Sequence, residues 1–384
     1  MIEVLVMKSA ERNLKHLIEI VNTQTKPVTI IVNTMICFKP KKLNIFRILL
    51  LCSFSLFVFK ANAQENELAV IAYNQGIAKF TNGDFAGAIQ EFDRAIQMEP
   101  EFEKAYYNRA IAKLEAQMFQ EAIKDFTIHL GLAPQSDKSY FSRAQAKFQL
   151  GDKNGALEDY NKSGSINPMN AEAFYFAAGI EFSRGNYEAA KTALSSAIRA
   201  NSNFAEAFHD RGSCHRQLND SKNAESDFRK AIELKPDFTL AYINLAALLR
   251  SNKDPQGALT ELNYAVASSP NNAEVLMRRG RVKFELEDYD GAIADFDKAV
   301  NLDPKNPSAF SNRGVVKNKI KDYAGAISDY DSAIQLNPDF GLAYFNRGIA
   351  KENLRDVAGA CKDWREALQN GISGAKSFID SECN

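Results

Sequence analysis

Small and apolar side chains recur along most of the chain at intervals of three and four residues, in stretches separated by short polar breaks. Such spacing is typical of an amphipathic α-helix with one buried face. In residues 307–340 the first stretch ends at the break Lys321-Asp322, and the second ends before Pro338. Asp322 can cap the second helix, and Pro338 cannot continue it. This segment is therefore predicted to fold as a helical hairpin.

The hairpin pattern repeats nine times without a gap, with a 34-residue period, from Ala69 to Gly374. One phase of the period is alanine in every copy, a second is always glycine or alanine, and a third is large and apolar. In the eighth copy these phases are Ala326, Gly314 and Tyr330. Small residues allow two helices to approach closely, and the large residue fills the space beside them. The predicted fold class is all-α, without strands.

The order and spacing of these alanine, glycine, aromatic and proline positions resemble the tetratricopeptide repeat across residues 69–374. The resemblance implies a right-handed superhelical solenoid of nine 34-residue helix–turn–helix repeats. It also implies a concave groove lined by the first helix of each repeat. After the last repeat, residues 375–384 are predicted to form a C-terminal capping helix.

Residues 1–63 lack the repeat and have a different composition. A basic stretch at 39–47 precedes the apolar run ILLLCSFSLFVF at 48–59, and Ala61 and Ala63 follow it. A charged segment, a short apolar segment and a small-x-small site are the features of a secretory signal peptide. The apolar run is also much shorter than the roughly 20 residues that a membrane-spanning helix needs.

We therefore expect residues 35–63 to be a signal peptide cleaved near Ala63-Gln64, with residues 64–68 as a short leader. Residues 1–34 are expected to be an upstream over-extension or a disordered segment. The expected localisation is exported, either periplasmic or extracellular. The alternative is that the apolar segment stays uncleaved and anchors the protein in a membrane.

The overall composition is that of a globular protein, and it limits the classes of partner. The 384 residues are 45% apolar and 25% charged, with a formal net charge of −1. Because there is no basic excess, a nucleic-acid partner is not expected. Five cysteines are too few for a scaffold built on disulfides.

Candidate chemistry is sparse. The sequence contains no recognisable set of nucleophile and base, no phosphate-binding loop and no cofactor motif, so neither an enzyme nor a cofactor is expected. His209, Cys214 and His215 lie close in sequence, but their spacing places them on different faces of a helix. Two metal-binding side chains on one helix are usually four residues apart, so no metal site is predicted.

Arginine recurs at a phase that should face the core. In six repeats the residue before the small position is arginine, and in the same six the residue before the large position is aspartate. In an antiparallel hairpin these phases lie at the same height, and a guanidinium can hold a carboxylate with two hydrogen bonds. We predict six structural pairs: Arg109–Asp125, Arg143–Asp159, Arg211–Asp227, Arg279–Asp295, Arg313–Asp329 and Arg347–Asp363. The alternative is that duplication copied both residues without contact.

Two cysteines lie near the C-terminus. Cys361 replaces an apolar residue near the start of the last repeat's second helix, and the capping helix would bring Cys383 close to it. In an oxidising compartment the two could form a disulfide that fixes the cap. The alternative is two unrelated thiols.

Asparagine shares one phase of the first helix in five repeats, as Asn74, Asn108, Asn244, Asn312 and Asn346. In tetratricopeptide proteins that bind extended peptides, asparagines at this place can hydrogen-bond the ligand backbone, and the resemblance extends that role to these residues. The neighbouring phase begins aromatic, with Tyr73, Tyr107, Phe141 and Tyr175, and could hold apolar side chains of a partner. The alternative is that the asparagines bond within the repeats and the tyrosines pack between them.

By resemblance, the protein is expected to be a non-enzymatic, exported scaffold that binds a peptide or partner protein in its concave groove. The basic clamp that some family members use for C-terminal carboxylates is incomplete, with only Lys104 and Lys138 as candidates. The alternative function is a structural or regulatory component of an envelope assembly that uses its convex face or its ends.

Overall fold

The computed structural model describes residues 67–383, and every regular element within them is an α-helix. The first helices of the nine hairpins are α1 (67–81), α3 (Glu103–Glu115), α5 (Asp137–Gln149), α7 (Ala171–Ser183), α9 (Ala205–Gln217), α11 (Thr239–Ser251), α13 (Ala273–Glu285), α15 (Pro307–Lys319) and α17 (Gly341–Asn353). The second helices are α2 (Phe85–Met98), α4 (Phe119–Leu132), α6 (Lys153–Ile166), α8 (Tyr187–Ala200), α10 (Ser221–Leu234), α12 (Pro255–Ser268), α14 (Tyr289–Leu302), α16 (Tyr323–Leu336) and α18 (Val357–Gln369). A short helix, α19 (Ala375–Glu382), ends the chain. The predicted all-α fold of repeated helical hairpins is confirmed.

The turn inside each hairpin has the same local structure. The residue before the cap of the second helix is left-handed, as at Gly83 with φ of 80° and Lys321 with φ of 69°. Asp322 then caps α16 by accepting a hydrogen bond from the backbone N–H of Gly325. Glycine occupies the left-handed position in three of the nine turns, and the other six place a polar residue there: Gln117, Asn219, Lys253, Glu287, Lys321 and Arg355.

The interface between the two helices of a hairpin depends on the small and large phases. Tyr330 and Trp364 are fully buried. A Cβ atom at Gly314 would lie 2.8 Å from Cε1 of Tyr330, and one at Gly348 would lie 2.5 Å from Nε1 of Trp364. Glycine is therefore required where the ring lies directly against the facing backbone.

The chain divides into two compact units, one ending at Ile180 and the other beginning at Glu181, so the boundary falls inside α7. In the first unit, Phe92, Ile111 and Phe126 belong to one buried cluster. In the second unit, successive hairpins contribute to a series of buried clusters that extends to Trp364. Within each unit, consecutive helices pack against one another.

The C-terminal helix α19 is fixed to the last hairpin. Cys383 and Cys361 form a disulfide with a Cα–Cα distance of 5.6 Å. The ring of Phe378 lies 5.1 Å from that of Trp364 and 5.2 Å from that of Phe345. The cap therefore combines a covalent link with aromatic packing.

The predicted signal peptide at 35–63 and the segment 1–34 lie outside the described residues, as does most of the predicted leader. The last two leader residues, 67 and 68, are already helical. In the described part of the chain, no helix combines the length and the apolar character needed to cross a bilayer.

Candidate functional site

The six arginines singled out by the sequence each lie beside the aspartate sixteen residues later. In every case the arginine donates from Nε and Nη2 to the two carboxylate oxygens, at 2.6 to 3.0 Å. All six aspartates are buried, with at most 5% of their surface exposed. These contacts join the two helices of one hairpin, which is a structural role.

Each arginine also reaches the preceding hairpin through Nη1. Arg313 Nη1 donates to Asp297 at 2.8 Å, and Arg347 Nη1 donates to Asp331. Burial disfavours the charged form of Arg347, but its hydrogen bonds to the two carboxylates outweigh this effect and raise its pKa. This contact was not predicted from the sequence, although a polar residue precedes all six arginines by sixteen positions.

A lysine one helical turn after the arginine completes most of these pairs. Lys317 Nζ lies 2.9 Å from Asp329 Oδ2, and Lys351 Nζ lies 2.9 Å from Asp363 Oδ2. The Arg313 guanidinium also lies over the Phe310 ring, 5.6 Å from its centroid. The buried carboxylate is thus neutralised by two basic groups. A buried charge without such partners would be strongly destabilising.

Two asparagines at the shared phase of the first helices hydrogen-bond a residue of the preceding hairpin. Asn108 Nδ2 donates to the Tyr73 hydroxyl at 2.7 Å, and Asn244 Nδ2 lies 2.7 Å from His209 Nε2. Ser142, at the same phase, hydrogen-bonds Tyr107. Side chains at this phase therefore link consecutive hairpins, rather than bonding within one repeat as the alternative interpretation expected. A contact of these asparagines with a ligand stays a prediction.

The other predicted groove residues differ in exposure. Asn74 is exposed, and Asn312 and Asn346 are half-buried. Phe141 and Tyr175 are buried with 7% of their surface exposed, and the Phe141 ring packs 5.9 Å from the Phe176 ring. Both side chains therefore contribute mainly to packing.

Three of the predicted residues line one cavity of about 210 Å³ in the first unit. We call it the Asn108 cavity, and its walls are Tyr73, Glu103, Lys104, Tyr107, Asn108, His129, Ser136 and Lys138. The walls come from α1, α3, α4 and the start of α5. They combine two aromatic rings with acidic, basic and amide groups, a mixture suited to an extended peptide.

The polar groups of this cavity leave one acceptor unused. Asn108 is 5% exposed, and its Oδ1 atom is buried without a hydrogen-bond partner. Burial also raises the pKa of Tyr73 to about 12, against the opposing effect of the hydrogen bond from Asn108, so its hydroxyl stays neutral at physiological pH. Because a buried carbonyl oxygen without a donor is costly, this atom favours a ligand that brings an N–H group.

A serine, a histidine and a glutamate form a row at the edge of the same cavity. Ser139 Oγ lies 2.8 Å from His129 Nδ1, and His129 Nε2 lies 3.2 Å from Glu103 Oε1. Burial lowers the pKa of His129, and Glu103 acts against that shift. Ser139 is fully buried, so its hydroxyl cannot reach a substrate and the row acts as a structural link between α3, α4 and α5.

His209, Cys214 and His215 are engaged separately. His209 contacts Asn244 and Asp210, whereas His215 Nδ1 lies 3.0 Å from Asp220 Oδ2. Cys214 is fully buried. Among residues 67–383 no three potential metal ligands come together.

Three family models match parts of the chain. One described as TPR repeat matches residues 280–321, and one described as tetratricopeptide repeat matches residues 73–137. A further tetratricopeptide repeat model matches residues 137–169 and 205–238. No curated protein matches the chain in sequence.

Several solved structures resemble the chain. The C-terminal part of a TPR repeat-containing protein from Cytophaga hutchinsonii is 18% identical, with a TM-score of 0.55 over 62% of this chain and 98% of that chain. A tetratricopeptide repeat protein from Parabacteroides merdae is 19% identical, with a TM-score of 0.46 over 65% of this chain and 99% of that chain. Yeast Tom70 is 15% identical, with a TM-score of 0.42 over 83% of this chain and 96% of that chain.

The first of these likenesses shows the fold, and no catalytic family is among the matches. Tetratricopeptide repeats are a type of scaffold for protein interactions. The period, the hairpins and the matched segments lead to one conclusion: the chain is built from tetratricopeptide repeats.

Proposed function

We propose that the protein is a non-enzymatic scaffold that binds an extended peptide segment of a partner protein, with the Asn108 cavity as its main contact. The observation that carries this proposal is the buried, unpartnered Oδ1 atom of Asn108 in the wall of that cavity. A peptide N–H is a suitable donor for it, and every residue of a ligand except proline supplies one.

The walls of the cavity favour an extended peptide over a small polar metabolite. Tyr73 and Tyr107 offer partly exposed ring surface on which an apolar side chain can pack. The positions of Glu103, Lys104 and Lys138 at the rim allow polar contacts on either side of the backbone. Because Asn108 is held by Tyr73, its amide is preorganised, which reduces the entropy lost on binding.

We also propose that the protein is exported. The features of residues 35–63 support export, and the disulfide between Cys361 and Cys383 is of a kind that persists mainly in oxidising compartments. N-terminal sequencing of the protein purified from its host tests this proposal. A chain that begins at Gln64 supports export with cleavage, and one that retains residues 35–63 in a membrane fraction supports the anchor instead.

The binding proposal is tested by comparing Asn108→Ala with Asn161→Ala. Asn161 is an exposed residue on α6, outside the cavity, and provides a matched control. Each full-length protein is used to capture partners from a host envelope extract, and partners are identified by mass spectrometry. Circular dichroism establishes that both variants remain folded.

The proposal predicts that a specific partner is captured by the wild type and by Asn161→Ala, and is lost with Asn108→Ala. A synthetic peptide from that partner should then bind the wild type and Asn161→Ala with similar affinity and Asn108→Ala more weakly. Equal capture by both folded variants would contradict the cavity proposal. It would favour the alternative function, in which the protein is a structural or regulatory component of an envelope assembly and contacts its partners through its convex face or its ends.

A further inference from the structure

One side of α1 is exposed at positions that are interior in every later hairpin. The phase of Ile71 is at most 1% exposed in the eight later hairpins, as at Ala105 and Val275, whereas Ile71 itself is 46% exposed. The phase of Ala78 is also buried in all eight, whereas Ala78 is exposed. In the later hairpins these phases belong to the first helix, which packs on the hairpin before it. The first hairpin lacks that neighbour within residues 67–383.

Two polar residues on the same side of α1 occupy phases that join consecutive hairpins elsewhere. Asn74 shares its phase with Asn108, which hydrogen-bonds the preceding hairpin. Gln75 shares its phase with the six arginines that reach the preceding hairpin through Nη1. We call the surface formed by Ile71, Asn74, Gln75 and Ala78 the N-terminal face. By its position in the repeat it is an interface surface.

The two ends of the array differ in what they present to solvent. At the C-terminal end, α19 packs its apolar side on the last hairpin. Its exposed residues are all polar: Lys376, Ser377, Asp380, Ser381 and Glu382. A free end of a repeat array needs such a polar outer surface to stay soluble. The N-terminal face instead exposes Ile71 and Ala78, with Leu68 beside them at 44% exposure, so it needs a cover.

The choice of cover is narrow. With the cleavage proposed above, near Ala63-Gln64, only residues 64–66 precede the described start of α1. Three residues are fewer than one helical turn and cannot replace a preceding helix. The C-terminal end of another copy is also unsuited, because the polar outer side of α19 occupies it. The N-terminal face of a second copy remains.

The N-terminal face is complementary to itself. When two copies of α1 pack antiparallel about a two-fold axis between residues 74 and 75, Ile71 of each copy faces Ala78 of the other. A large side chain then meets a small one, as close packing requires. The same symmetry places Asn74 opposite Gln75, and an amide can both donate and accept a hydrogen bond. None of the four side chains is charged, so the pair brings no like charges together.

We infer that the protein forms a two-fold symmetric dimer through the N-terminal faces of two copies. Such an interface is closed, so association stops at two. It is built mainly on one helix from each copy and is therefore small and reversible. Because Tyr73 of α1 lines the Asn108 cavity, each dimer carries two such cavities beside its interface. The dimer does not depend on what that cavity binds.

The oligomeric state of the protein purified from its host tests the inference. Sedimentation velocity is measured between about 1 and 300 μM, because a small interface gives a weak dimer. Ile71→Asp is the disrupting variant, since it places two carboxylates at the interface. Met169→Asp is the matched control, because Met169 is an apolar residue that is 70% exposed and lies outside the N-terminal face. Circular dichroism establishes that both variants are folded.

The wild type and Met169→Asp should convert from monomer to dimer as the concentration rises. Ile71→Asp should weaken the dimer at least about a hundredfold. A dimer that Ile71→Asp leaves intact, or assemblies that grow beyond two copies, would overturn the inference. So would a wild type that stays monomeric, a result that would leave the chain's own upstream residues as the cover.

Cross-linking tests the symmetry without disrupting the interface. The substitution Gln75→Cys lies next to the two-fold axis and should give a disulfide-linked dimer under mild oxidation. Asn161→Cys, on the exposed side of α6, should not. Equal cross-linking of the two variants, or none with Gln75→Cys, would contradict the proposed dimer. Asn108→Ala should dimerise as the wild type does, so failure of the peptide-binding proposal and failure of the dimer give different results.

Discussion

Arg313 and Asp329, sixteen residues apart, form a two-point ion pair that joins α15 to α16, while a third nitrogen of the same guanidinium contacts Asp297 in α14. Asp329 is 3% exposed, whereas the side chain of Asp297 is 51% exposed. One arginine thus has a buried partner inside its own hairpin and an exposed partner in the preceding one.

This difference predicts unequal effects of removing the two carboxylates. Asp329→Ala should lower the free energy of unfolding by about 3 kcal/mol, because it leaves Arg313 and Lys317 without their shared buried partner. Asp297→Ala should cost less than about 1 kcal/mol, because that pair is exposed. Urea denaturation of both variants measures the two values, and similar losses would contradict the assigned roles.

A double-mutant cycle isolates the pair itself. Arg313→Ala combined with Asp329→Ala should cost little more than the larger single change, because most of each single loss comes from the partner left behind. Additive losses would mean that the two residues contribute independently.

The small phase predicts a second effect on stability. Gly314→Ala should destabilise the protein by about 1–3 kcal/mol, because the new methyl group would lie 2.8 Å from the ring of Tyr330. Gly131→Ala is the matched control, since a Cβ atom at Gly131 in α4 has no neighbour within 4 Å. Alanine has the higher helix propensity, so this change should stabilise by up to about 1 kcal/mol. Thermal unfolding of the two variants should therefore shift in opposite directions.

The cap predicts a redox-dependent stability. Reduction of the disulfide between Cys361 and Cys383, which are 22 residues apart, should lower the stability of the last hairpin by about 3 kcal/mol. Hydrogen exchange before and after reduction should show faster exchange in α18 and α19 and little change in the first unit. Cys361→Ser with Cys383→Ser is the control, because this variant should show the reduced behaviour under both conditions.

A buried thiol predicts part of the alkaline behaviour. Burial raises the pKa of Cys214 from 9.0 to about 12. The folded state favours the neutral thiol, so its contribution is fully present below pH 9.0 and is lost as pH rises toward about 12. Across this range the wild type should lose stability more steeply than Cys214→Ala, by up to about 1.4 kcal/mol per pH unit. Parallel pH profiles for the two proteins would argue against this assignment.

The hairpins and the contacts between their own helices could be predicted because the repeat provides nine copies of the same evidence. Arg313 and Asp329 represent two phases of the repeat, and each hairpin has either both the arginine and the aspartate at these phases or neither of them. The geometry of a hairpin brings the two phases close together, so their pairing could be predicted. The left-handed conformation of Lys321 was harder to predict from the sequence. Glycine is the usual sign of this conformation, and only some copies of the turn contain it.

Contacts between consecutive hairpins were harder to predict. The hydrogen bond from Asn108 to Tyr73 depends on the angle at which one hairpin packs on the next, which periodicity does not specify.

The terminal helix α19 has a consequence for self-association. A hairpin array ends in an apolar surface that would fit another hairpin as readily as solvent, and such a surface favours end-to-end polymerisation. Here Phe378 already lies on Trp364 and Phe345, and the bond from Cys383 to Cys361 keeps it there. Because the cover is covalently tethered, its local concentration at this surface stays high for as long as the bond is intact, which disfavours the addition of a further copy at that end.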